Sequence, residues 1–187
     1  MLKRLLSVII LFALFSSQVT EVVEETGRVK RNSFDPQNGA FSHIRPEHRT
    51  VLARWLKNQP GLRLATEADC VDMESLEGYR KDWGKGFHPY YSIGDFNRDG
   101  KEDFAVLLID LKKEEDHGFA IAIFNALFEG KSAPNYFERG YTDIGHCYIV
   151  FNRVAERRLY LGMFESDYYC VTFYPKGGGY VFKDCLS

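Results

Sequence analysis

The sequence lacks several features that define broad classes of protein. It has no long apolar run beyond its N-terminus, no Asn-x-Ser/Thr glycosylation motif, no Cys-x-x-Cys pair and no His-Glu-x-x-His motif. The Gly-x-Ser-x-Gly motif of many serine hydrolases and the glycine-rich phosphate loop are also missing. These absences argue against a later membrane helix, thioredoxin-like redox chemistry and a zinc site.

An excess of basic charge is absent too. The chain has 24 Lys and Arg against 26 Asp and Glu, a net charge of −2. Without Lys3 and Arg4, 22 basic residues face the 26 acidic ones, which gives about −4. Nucleic acid and anionic lipid both require a basic surface, so we expect neither as a partner.

The N-terminus has the pattern of an export signal. Lys3 and Arg4 precede the apolar run 5–15, and small or polar residues follow at 16–18. Residues 1–18 therefore predict a secretory signal peptide, since the run is too short to span a bilayer comfortably. An uncleaved anchor is the alternative. We expect a secreted or periplasmic protein with no membrane insertion after signal removal, a flexible leader at 19–40 and one domain at 41–187.

Hydrophobic periodicity indicates helices followed by strands. Val51, Leu52 and Trp55 recur at helical spacing after Pro46, and a shorter helix is predicted from about Thr66. Seven apolar segments that predict strands follow, at 90–94, 104–110, 119–124, 147–154, 158–164, 168–174 and 179–183. Short turns join the later segments, which favours hairpins. We predict an α+β fold in which N-terminal helices pack on a mainly antiparallel β-sheet. The segment 104–109 is apolar without alternation and predicts a central strand covered on both faces.

Four cysteines, an even number in a chain predicted to be exported, indicate two disulfides. If Gly177-Gly178 is a two-residue turn, counting outward places Cys170 opposite Cys185. That pairing leaves Cys70 for Cys147. A Cys147–Cys170 bond is the alternative if their strands are neighbours.

One loop carries the donor pattern of a calcium site. Oxygen-bearing side chains occupy positions 1, 3, 5 and 9, glycine occupies position 6, and a backbone carbonyl is expected at position 7: Asp95, Asn97, Asp99, Asp103, Gly100 and Lys101, respectively. Calcium takes six to eight oxygen ligands, and the glycine permits the sharp turn that directs them inward. The spacing predicts one Ca²⁺ in the loop 95–103. The alternative is an Asp/Asn/Gly-rich turn without a metal.

The stretch 94–106 resembles the calcium loop of FG-GAP repeats, as found in integrin-type propellers. The resemblance implies that Asp95, Asn97, Asp99 and Asp103 bind calcium. An EF-hand is not indicated, because Val106 stands where the position-12 glutamate belongs. Only one such loop occurs in the sequence, whereas a propeller needs several blades, so we do not expect that fold.

Aromatic residues cluster just before this loop, at Trp83, Phe87, Tyr90 and Tyr91. They suggest a stacking platform for a ligand, or alternatively a satellite of the core. The five histidines are scattered in the sequence without metal-ligand spacing. His146 and Cys147 are adjacent, but neighbours in a strand point to opposite faces and could not share a proton.

These patterns together favour an exported calcium-binding domain that acts as a non-enzymatic binding module, with one Ca²⁺ bracing its loop. Its ligand would be a protein or a carbohydrate that the sequence does not identify. A small exported hydrolase is one alternative function. An inhibitor or immunity-type protein is another.

Overall fold

The computed structural model describes residues 34–126, 133–153 and 157–184, apart from the side chains of residues 167–170. These residues form two α-helices and nine β-strands. The helices are α1 (Pro46–Leu56) and α2 (Met73–Trp83). The strands are β1 (Leu62–Leu64), β2 (Tyr91–Gly94), β3 (Asp103–Asp110), β4 (Phe119–Phe124), β5 (Tyr136–Tyr141), β6 (Cys147–Asn152), β7 (Arg158–Met163), β8 (Ser166–Lys176) and β9 (Gly179–Asp184). The predicted signal peptide and residues 19–33 of the predicted leader lie outside the described residues.

The strands form two antiparallel sheets. In the first, β3 pairs with β4 and β4 with β5, while β1 and β2 share the other edge of β3. The second sheet is a meander in the order β6-β7-β8-β9. Its last hairpin turns at Gly177 and Gly178, both with positive φ, which suits a two-residue hairpin turn.

Two apolar layers cover the first sheet. On one face, α1 packs Val51, Leu52 and Trp55 against alternate residues of β3 and β4. On the other face, the remaining apolar residues of β3 and β4 pack against the second sheet and α2. All eight residues of β3 are buried, which confirms the prediction of a central strand covered on both faces.

The predicted fold class is wrong. With two helices and nine strands in two antiparallel sheets, the described chain is mainly β, not α+β with helices packed on one sheet. The short turns identified β6 to β9 as neighbours, but a short turn does not show whether a hairpin extends one sheet or starts another. In β6 buried and half-buried residues alternate, because a second sheet packs through one face only.

The edge strands β2 and β6 join the two sheets. The amide of Ile149 donates to the carbonyl of Pro89 at 2.8 Å, and the amide of Phe151 donates to Ser92 Oγ at 2.9 Å. Gly94 faces the Phe151 ring so closely that an added Cβ would lie 2.2 Å from a ring carbon. This contact requires a residue without a side chain.

A buried histidine links α1 to β2. His48 is 1% exposed, stacks on Phe104 at 4.1 Å and shares a hydrogen bond with the Tyr91 hydroxyl through Nδ1 at 2.8 Å. Burial lowers the pKa of His48 to about 4, and nearby Arg45 lowers it further against the opposing effect of Glu47. His48 is therefore neutral in the folded protein at neutral pH.

No helix among the described residues is long and apolar enough to cross a membrane.

We expect Gly94→Ala to destabilise the protein by about 1–3 kcal/mol, because the new methyl group overlaps the buried Phe151 ring. Gly78→Ala is the matched control: nothing lies within 4 Å of its added Cβ in α2, so this change should stabilise by about 0.5–1 kcal/mol. Urea unfolding measures both. Equal stability of Gly94→Ala and the wild type would show that the sheets can separate here without cost.

Acid should destabilise the fold through His48. The pKa of His48 is about 4 when folded and 6.5 unperturbed, so between these values the unfolded chain binds the proton and the folded one does not. Stability should fall as pH drops from 6.5 to 4, by up to roughly 3 kcal/mol from this residue. His48→Asn, which does not titrate, should show a shallower decline in urea unfolding across that window. Parallel declines in both proteins would exclude His48 as the cause.

Candidate functional site

The loop 95–103 connects β2 to β3 and is ordered by its own side chains. Asp95 Oδ2 accepts from the amide of Gly100 at 3.1 Å, and Asn97 Oδ1 accepts from the amide of Asp99 at 2.9 Å. Asp99 Oδ1 accepts from the amide of Lys101 at 2.9 Å. The side chains at positions 1, 3 and 5 thus each fold back on a later amide of the loop, which curls the backbone.

Glycine is required at the centre of this turn. Gly100 has a φ of 82°, a left-handed conformation that a side chain disfavours. Arg98 also has a left-handed backbone, with a φ of 64°, although arginine is not a residue that favours it.

Asp103 holds the loop from beneath. Its carboxylate is 0% exposed and accepts three backbone amides: Phe96 at 2.8 Å, Asn97 at 3.1 Å and Ala126 at 3.0 Å. Burial raises the pKa of Asp103 against the opposing effect of these donors. A carboxylate offers about four acceptor positions, so most of its capacity is used by the backbone.

Asp95 has one oxygen whose bonding capacity is unused. Its Oδ1 is buried and has no hydrogen-bond partner among the residues that the structure describes. The other oxygen, Oδ2, lies 3.6 Å from Nη2 of Arg157, a distance longer than a direct charged hydrogen bond. A buried carboxylate oxygen without a donor is unfavourable, and a cation would satisfy it.

The loop is not a preformed cage of acidic groups. Among the described residues, no three Asp, Glu, His or Cys side chains converge to hold a metal ion. The amide nitrogen of Asn97 instead donates to Asp99 Oδ2 at 3.1 Å. The oxygens that fit a hard cation are those of Asp95, Asn97 and Asp99. The carboxylate of Asp103 is mainly occupied by hydrogen bonds from backbone amides.

The four residues of the predicted aromatic platform separate into two environments. Trp83 ends α2 and is 47% exposed. Phe87, Tyr90 and Tyr91 are buried: the first two pack between the sheets, and Tyr91 packs under α1. These four residues therefore do not form one continuous exposed surface, and Trp83 is the one of them that a ligand could stack on.

A cleft of about 490 Å³ lies beside these residues, between the segment that follows α2 and the edge strands β2 and β6. Trp83 lines it together with Asp82, His88, Asn152 and Arg153. The cleft thus combines one exposed ring with polar and charged groups, an arrangement common in sites for small molecules.

The structure brings together two histidines that the sequence separates by 45 positions. The rings of His43 and His88 stack at 4.1 Å. Nδ1 of His88 is hydrogen-bonded to Glu67 Oε1 at 2.9 Å, and Arg80 pairs with the same carboxylate. Burial lowers the pKa of His43 to about 4, with His88 adding to the effect. No spacing in the sequence indicates this cluster, because its members come from four separate segments.

Two of the four cysteines can be placed. Cys70 and Cys147 are buried free thiols in this structure. Burial raises the pKa of Cys147 to about 12, so it carries little thiolate character at neutral pH. Cys185 and the side chain of Cys170 lie outside the described residues, but the strand register is as predicted, with Val171 opposite Asp184. The predicted Cys170–Cys185 and Cys70–Cys147 bonds stay predictions.

Comparison with known proteins adds no relatives. No protein-family model, no curated protein and no solved structure matches the chain.

Proposed function

We propose that this chain is an exported binding module whose loop 95–103 binds one Ca²⁺. The observation that carries the proposal is the buried, unpartnered Oδ1 of Asp95 at position 1 of the loop. Asn97 and Asp99 supply further oxygens, and the curl at Gly100 brings positions 3 and 5 towards position 1. The short likeness to FG-GAP calcium loops supports the same ion.

Calcium would act on the structure rather than on a reaction. The loop leads from β2, the strand that joins the two sheets, directly into the central strand β3. An ion held by Asp95 and Asp99 would draw positions 1 and 5 together, and so brace the junction of the sheets next to the cleft. The ion therefore supports the walls of the proposed binding surface.

A carbohydrate is the ligand that the cleft favours. A cleft of about 490 Å³ suits a small molecule, whereas a globular protein needs a much larger contact surface. Trp83 offers a ring for stacking on a sugar, and Asp82, Asn152 and Arg153 offer polar groups for its hydroxyls.

The hydrolase alternative has one specific observation in its favour. Glu67 holds Nδ1 of His88, an arrangement that suits a histidine acting as a general base, and His88 lines the same cleft. Ser92 also lines the cleft, but it does not complete a catalytic pair with His88. Ser92 is only 9% exposed, and its Oγ accepts a hydrogen bond from the amide of Phe151. We therefore place binding ahead of hydrolysis.

Calcium should raise the thermal midpoint. An ion that binds only the folded loop with a dissociation constant of about 10⁻⁴–10⁻³ M stabilises by about 0.4–1.4 kcal/mol at 1 mM. Calorimetry in 1 mM CaCl₂ and in EDTA should differ by roughly 1–6 °C. Asp95→Asn should abolish this difference, because it removes the charge but retains an oxygen for the Gly100 amide.

Glu102→Gln is the control for this experiment. It removes the same charge from the same loop, but Glu102 pairs with Arg45 on the surface and occupies no ligand position. Its calcium response should equal that of the wild type. Identical melting curves in calcium and EDTA, or a full response in Asp95→Asn, would contradict the proposed site.

Carbohydrate binding should depend on Trp83. We expect the wild type to bind a subset of sugars on a glycan array in calcium, and Trp83→Ala to lose about tenfold in affinity with the stacking contact. Phe182→Ala is a matched control, because Phe182 is 48% exposed but lies on β9, away from the cleft. An array without binding, or equal binding by Trp83→Ala, would reject a sugar ligand and favour a protein partner.

A further inference from the structure

A second, smaller pocket lies on another side of the loop 95–103. Its volume is about 230 Å³, and six of the described residues line it: Phe96, Arg98, Arg157, Arg158, Tyr174 and Pro175. They come from the loop, from the start of β7 and from the end of β8. Among the described residues of this lining three are arginines and none is acidic, so that part of the pocket is basic in a chain with a net negative charge.

Two of these arginines are held in an unfavourable backbone conformation. Arg98 has a φ of 64° and Arg157 a φ of 50°. Only five described residues other than glycine have a positive φ, and the other three are His117, Asp143 and Glu165. Left-handed backbone costs of order 1 kcal/mol at a residue such as arginine, and such strain concentrates at functional sites.

The third arginine is oriented by an aromatic ring. The guanidinium carbon of Arg158 lies 4.6 Å from the centre of the Tyr174 ring, and Nη1 donates to the Tyr174 hydroxyl at 3.1 Å. The hydroxyl oxygen accepts this bond, so its own hydrogen is available to donate to a ligand. Stacking fixes the plane of the guanidinium and therefore the direction of its donors.

Arg157 is only loosely neutralised by the loop. Its Nη2 lies 3.6 Å from Asp95 Oδ2, and the arginine side chain is 60% exposed. An exposed ion pair at that distance contributes little, so the guanidinium can turn towards an anion at low cost.

We propose that this pocket binds a tetrahedral oxyanion, a phosphate or sulfate group, either free or as a monoester. Guanidinium groups match such oxyanions through paired N–H donors, and three of them with a phenol can serve several terminal oxygens at once. The pocket volume suits one such group with the first atoms of an ester. The proposal does not depend on calcium, because the three arginines hold no ligand position of the loop.

Isothermal titration of the full mature chain with sodium sulfate and with inorganic phosphate tests this site, in EDTA and at constant ionic strength with chloride. We expect saturable one-site binding in the millimolar range. Arg98→Asn and Arg157→Asn should each weaken it at least tenfold. Asparagine favours the left-handed backbone, so these variants should melt at or above the wild-type temperature, which separates a lost ligand contact from a lost fold.

Arg54→Ala is the charge-matched control, since Arg54 is an exposed residue of α1 that does not line the pocket. It should bind as the wild type does. Sulfate and phosphate also stabilise proteins without binding, so an unsaturated response that is the same in all four proteins would overturn the proposal. Undiminished binding in Arg98→Asn or Arg157→Asn would overturn it as well.

Glucose 6-sulfate and glucose 6-phosphate distinguish the two sources of the anion. Tighter binding of either ester than of its inorganic anion assigns the site to a monoester. Equal affinities assign it to the free anion. Repeating the sulfate titration of the wild type in calcium then shows whether the loop ion changes the affinity for the anion. The thermal response of Arg98→Asn to calcium alone tests the calcium site separately.

Discussion

The buried carboxylate of Asp103 is the constraint on which the rest of the site depends. It accepts amides from two residues of the loop and from Ala126, the second residue after β4, so one side chain joins the loop to both central strands. The bond to the Phe96 amide is buried, and a buried amide left without a partner costs about 1–3 kcal/mol. Because Asp103 fixes the loop from inside, the outer residues of the loop are not needed to hold its backbone in place.

That division explains how one short loop contributes to two proposed sites. The oxygens of Asp95, Asn97 and Asp99 turn inward through hydrogen bonds to later amides. Arg98, between them, lines the basic pocket instead. Asp95 and Arg157 then connect the two sites through a loose ion pair. An ion on Asp95 would compete for the oxygen that this arginine approaches.

Most individual strands could be predicted from the sequence, because buried strands have apolar runs bounded by turn residues. Segment β4 was predicted with its observed bounds, and β3 with a start one residue late. The edge strand β5 was missed, since Glu138, Arg139 and Gly140 interrupt any apolar pattern there. The division into two sheets also escaped prediction, because hairpin turns show which strands are neighbours and not which layer they join.

The candidate site was only partly predictable for a related reason. Spacing within the loop identified Asp95, Asn97 and Asp99, because those ligands are close in the sequence. Trp83 and Tyr90 are both aromatic, yet Trp83 is 47% exposed and Tyr90 only 4%. This difference arises from packing between segments that are distant in the sequence. The His43–His88 stack and the three-arginine pocket are assembled from distant segments and have no local pattern.

The pairing of the strands has a consequence for the order of folding. Each strand of the second sheet pairs with its neighbour in the chain, so its contacts close short loops. In the first sheet, β1 can pair with β3 only by bringing Leu62 to Asp110. Since the entropy of closing a loop grows with its length, the meander is expected to form first, an order that pulse-labelled hydrogen exchange can resolve. The junction of the sheets beside the loop 95–103 would then form late, because its contact between Ser92 and Phe151 joins residues 59 positions apart.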